Sequence, residues 1–169
     1  SALGAVRLGG ADIAGTTVTS GTSTRISASS IANVGTVTAG SSATINGLDL
    51  TVAKVTAGTF TDYDGRLINV GQTTAGTTAF VDARDFTFDQ LAAGQSVEIL
   101  TFGKTTGGNI DAGTTLKISA RGDVKFDDAK AGGAIAISGA NLDALTVTGD
   151  AGLSLVVTNA ITLEIGRAH

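Results

Sequence analysis

Asp64 and Asp82 lie eighteen positions apart, and each is followed two residues later by an arginine, Arg66 and Arg84. Glycoside hydrolysis needs two carboxylates facing across a cleft with separated pKa values, and polysaccharide lyases need a base with Ca²⁺ or arginine. Stacked on adjacent coils of a repeat, this outward quartet could supply such groups. On a strand, however, Asp and Arg at i and i+2 share one face, where they pair with each other and across coils for a small gain. No long loop offers a cleft wall, and aromatic residues make up only 4% of the chain. The quartet therefore reads as a solvated ion-pair ladder, and the chain as a non-enzyme without a cofactor.

Three further groups invite chemistry. Asp127-Asp128, with Asp123 close by, could offer oxygens to Ca²⁺, but the recurring glycine-rich nonapeptide of calcium-binding β-rolls is absent, and isolated acidic corners are solvated turns. Arg121-Gly122-Asp123 is the candidate binding tripeptide. Receptor recognition needs it on a projecting loop, whereas here it falls in a short corner between strands, where Gly122 turns the chain and Asp123 accepts hydrogen bonds. Hydroxyl pairs at Thr16-Thr17, Ser41-Ser42, Thr77-Thr78 and Thr114-Thr115 each follow Ala-Gly. Flat threonine arrays can order water and bind ice, but that needs outward Thr-x-Thr in coil after coil. These hydroxyls flank a glycine turn and are read as corner residues. Phe80 is expected to face outward, Phe60 and Phe102 have no assigned direction, and His169, the single histidine, is a terminal residue without catalytic meaning.

What must position these groups is a repeat. Ala-Gly occurs at 14, 39, 57, 75, 93, 112, 131 and 151, at intervals of 25, 18, 18, 18, 19, 19 and 20 residues. A period of that length without helix-forming stretches marks a β-solenoid, one coil per repeat. Four residues after each Ala come Val18, Ala43, Thr61, Ala79, Val97, Leu116, Ile135 and Leu155. Six after it come Ser20, Ile45, Tyr63, Val81, Ile99, Ile118, Ile137 and Val157, with mostly polar residues between the two sets. That alternation is a half-buried strand whose inward columns stack coil upon coil. Further inward columns are Leu50, Ile68, Phe86; Val52, Val70, Phe88; and Val55, Thr73, Leu91. They continue with one-residue slippage as Val124, Phe126, Ala129 and then Leu142, Leu145, Val147. The pattern allows two or three strands per coil.

Composition agrees: Gly is 24 of 169, while Pro, Cys, Met and Trp are absent and 42% of residues are hydrophobic. Glycines are expected at corners with φ > 0, and β-branched residues on flat faces. At about 4.8 Å per coil, eight coils give a rod of roughly 40 Å. Net charge −4 with scattered cations argues against nucleic acid. No eighteen-residue apolar run marks membrane insertion, and no cysteine offers a disulfide or thiolate site. The fold class is all-β, a single-stranded parallel β-helix of about eight short coils of 18–20 residues. It is one continuous segment: residues 1–13 irregular or a partial coil, 14–165 the repeats, 166–169 a tail. Neither end looks capped, so the chain is expected to be part of a longer rod.

The stretch from Ala112-Gly-Thr-Thr-Leu-Lys-Ile-Ser-Ala-Arg-Gly-Asp-Val-Lys-Phe to Ala131-Gly-Gly-Ala-Ile-Ala-Ile-Ser-Gly-Ala resembles the repeats of filamentous haemagglutinin-type exoproteins, the large partners of two-partner secretion systems. Only Gly122-Asp123-Val124 reproduces their Gly-Asp-Val element fully. The resemblance implies a right-handed coil, secretion to the bacterial cell surface through an outer-membrane transporter that handles the parent protein, and adhesion to host-cell or surface receptors and glycans. The expected function is thus the shaft or adhesive segment of such an adhesin. The rivals are a solenoid enzyme acting on polysaccharide and a self-assembling surface-layer protein.

Overall fold

In a computed structural model that describes residues 2–163, the chain forms eleven strands: β1 (Val6–Ser20), β2 (Thr24–Ala39), β3 (Ala43–Ala57), β4 (Phe60–Ala75), β5 (Thr78–Ala93), β6 (Ser96–Thr101), β7 (Thr105–Ala112), β8 (Thr115–Ala120), β9 (Val124–Ala131), β10 (Ala134–Gly149) and β11 (Gly152–Leu163). Every pairing is parallel, and each strand from β2 onward lies on the segment one coil earlier. The result is a β-solenoid of about nine turns.

One coil shows why the sequence folds this way. From Ala79 the buried residues are Ala79, Val81 and Ala83, then Phe86 and Phe88, then Leu91 and Ala93. Alternation breaks at Arg84-Asp85, Asp89-Gln90 and Gly94-Gln95-Ser96, where successive residues all face solvent to some degree. Two outward neighbours in a row cannot belong to one flat strand, so each break is a corner and the coil has three faces. The open choice between two and three strands is thereby settled. The first face carries Val97, Leu116 and Ile135 in one column and Val81, Ile99, Ile118 and Ile137 in the next, all buried and in direct register. Burying each such side chain contributes on the order of 2 kcal/mol.

Register corrects several assignments. Leu155 pairs with Ile137 and Val157 with Gly139, so both stand two residues from the columns expected for them; Leu153 continues the Ile135 column instead. Val18 belongs with Val37 and Val55 on the third face, not with Ala43. Ala144, buried, takes the inward place expected of Leu145, which is exposed. The shifts of Leu155, Val157 and Val18 have one origin. The corner column runs Ala2, Ser20, Ala39, Ala57, Ala75, Ala93, Ala112, Ala131, Gly149. It selects a small residue, which Ser20 and Gly149 also provide, so Ala14-Gly15 and Ala151-Gly152 are off the column. Measured on it the intervals are 18 or 19 residues throughout.

The corner glycines also act differently from expectation. Among the described residues, only Gly152 has positive φ, 151°. A β-carbon on Gly40, Gly58, Gly76, Gly94 or Gly113 would collide with the carbonyl oxygen of the glycine one coil earlier. Close approach of successive backbones, not a left-handed turn, is what excludes a side chain there.

Candidate functional site

The coil that follows β5 is one residue longer, and the extra residue enters the corner between first and second faces. Arg84-Asp85 fills this corner in the shorter coil, Phe102-Gly103-Lys104 in the next, and Arg121-Gly122-Asp123 in the one after. The tripeptide is therefore a corner insertion stacked on another. The Arg121 guanidinium lies 5.0 Å from the Phe102 ring centroid, a cation–π contact. Gly122 N donates to Gly103 O at 2.9 Å, and Gly122 O accepts from Ala140 N at 2.8 Å. The Asp123 carboxylate accepts from Asn141 Nδ2 at 2.6 Å, while its backbone oxygen accepts from Thr105 N at 2.9 Å. Arginine, glycine and aspartate are each held by neighbouring coils, as a structural corner requires; the loop does not project.

The acid–arginine quartet is arranged otherwise than its spacing suggests. Asp64 and Asp82 do stack in register. Yet Arg66 binds Asp49 through two nitrogens, with Nη2–Oδ1 at 3.0 Å, and Arg84 approaches Asp85 at 3.7 Å. The chain turns the first corner immediately after Gly65 and Ala83, carrying both arginines off the face that holds the aspartates. The neighbour that Asp64 and Asp82 acquire instead is Asp62, on the same outward face. Partial burial, then the charge of Asp64, raise the Asp62 pKa; Arg25 opposes this and Asp82 adds to it. Neighbouring carboxyl groups whose environments push their pKa values apart are what acid–base chemistry uses. Here, however, the three stand side by side on one flat strand surface rather than on opposed walls. Asp62 was legible as an i, i+2 mate of Asp64, a signal that the eighteen-residue spacing overshadowed.

The candidate Ca²⁺ oxygens do not converge. Asp123 is engaged by Asn141 on the first corner, Asp127 faces solvent at the second, and Asp128 accepts from Thr146 Oγ1. No group of three or more potential metal-ligating side chains is found among the described residues.

Along the Ala-Gly corner three threonine hydroxyls are spent internally. Thr59 Oγ1 donates to Ser41 O, Thr77 Oγ1 to Thr59 O and Thr114 Oγ1 to Gln95 O, at 2.8–2.9 Å. Thr16-Thr17 is not part of this ladder, because Thr17 pairs with Thr36 on the third face. Phe80 is outward and half-buried, while Phe60 and Phe102 are exposed. His169 lies outside the described residues. No family model, curated protein or solved structure matches this chain.

Proposed function

We propose that the chain is a stiff shaft segment of an exported bacterial surface adhesin of the filamentous haemagglutinin type, holding a distal binding region away from the cell. One observation carries this reading: hydrogen bonding between coils continues through the corners as well as the faces. Gly58 N, Gly76 N, Gly94 N and Gly113 N each donate to the alanine carbonyl one coil earlier, and Thr59 N, Thr77 N and Thr114 N repeat this at the next residue. A cylinder bonded all round resists bending at every level, and its stability is a sum of coil and interface contributions. Outside, short ion pairs such as Lys117 Nζ–Glu98 Oε1 at 2.6 Å and Lys125 Nζ–Asp143 Oδ2 at 2.7 Å bridge adjacent coils on exposed faces.

The test is geometric. Placed between an outer-membrane anchor and a fluorescent tip on a bacterial cell, the segment should raise the tip by roughly 40 Å over a fusion lacking it. A tip no higher than the control would overturn the spacer role.

A further inference from the structure

Outward Thr-x-Thr on a flat strand, the arrangement that orders water, occurs in two successive coils on a different surface from the Ala-Gly corner, and one of its columns runs on for two coils more. On the third face Thr17 and Thr19 flank Val18, Thr36 and Thr38 flank Val37, and the column of Thr19 and Thr38 continues through Thr56 and Thr74. The residues between them, Val18, Val37, Val55 and Thr73, are buried at 9, 0, 0 and 1% exposure, so the threonines point to solvent. Thr17, Thr38 and Thr74 are exposed, the other three partly so. No register shift interrupts this face from β1 to β4.

We propose that these six threonines form a binding surface for ice. Parallel pairing sets the columns about 4.8 Å apart across coils and i, i+2 threonines about 6.6 Å apart along a strand. That grid is close to the oxygen rows on faces of hexagonal ice. Each threonine supplies a hydroxyl that both donates and accepts, and a methyl that binds no water and holds its neighbours in a cage. The backbone is paired on both sides from β2 to β4 and on one side in β1, and the β-branched side chain is stiff, so little ordering cost remains when a water layer freezes onto it. The surface is finite. Lys54 and Gln72 replace threonine in the first column, and the second ends in Ala92 and Asp111.

Single ice crystals grown in the 169-residue protein are the test. The wild type should facet them and open a gap between melting and freezing points. Thr38→Tyr, which breaks the plane, should abolish the gap, whereas Thr106→Tyr on the second face should leave it unchanged. Lys54→Thr, which lengthens the first column without touching the core, should widen it, and this arm stands even where Thr38→Tyr fails to fold. Round, unfaceted crystals in wild type and Lys54→Thr alike would overturn the proposal. So would a gap that survives in folded Thr38→Tyr.

Discussion

Ile118 and Lys117 are adjacent in sequence and opposite in environment. Ile118 is 1% exposed between Ile99 and Ile137, whereas Lys117 reaches an exposed Glu98. Ile118→Asp strands a charge in the column and should cost at least about 4 kcal/mol, while Lys117→Ala should stay within about 0.5 kcal/mol. Equal shifts in thermal unfolding would contradict the assigned faces. Tyr63 gives a pH prediction. Its hydroxyl is buried against Thr73 Oγ1 at 2.8 Å, and burial raises its pKa although the Thr73 hydrogen bond works the other way. In the unfolded chain a tyrosine ionises near pH 10. Above that the unfolded state holds fewer protons than the folded one, so stability falls as pH rises. Tyr63→Phe should flatten that alkaline decline, at a cost of about 1–2 kcal/mol near neutrality from the Thr73 hydroxyl left without its partner. A decline as steep as in wild type would contradict the burial of this phenol.

At the scale of a coil, corners decide what the chain tolerates. Gly76→Ala drives a methyl into the Gly58 carbonyl, while Gly15, with Ala14 on the second face, has open space around it. Urea unfolding should show Gly76→Ala destabilised by several kcal/mol and Gly15→Ala nearly unchanged, a contrast that a φ-based account of the corners does not produce. The inward columns of the middle coils were legible because large aliphatic residues recur there without interruption, as in Val97, Leu116 and Ile135. The corners were less so. A corner asks only for small size and close backbone approach, which Ser20-Gly21 and Gly149 satisfy without spelling Ala-Gly. Anchoring on that dipeptide displaced Leu155 and Val157 by two positions. It also set Val18 in the wrong column, which hid the threonine face around it. The Asp-Arg pairs were misread at another corner, since nothing at Gly65 or Ala83 announces that the next residue turns away. Gly107 escaped notice too: it pairs with Phe88, whose ring fills the space a side chain there would need.

For the whole molecule, one geometric statement underlies the shaft, the corner-held tripeptide and the threonine grid alike: residues one coil apart touch. Most close contacts join residues at least twelve positions apart in sequence, as expected of a body assembled by stacking. The most direct measurement is a methyl-methyl nuclear Overhauser spectrum of the selectively labelled protein. Strong cross-peaks should link Val97 to Leu116 and Leu116 to Ile135, with a second series through Val81, Ile99, Ile118 and Ile137. Well-resolved methyl signals for these residues without cross-peaks between register partners would contradict the stacked-coil account.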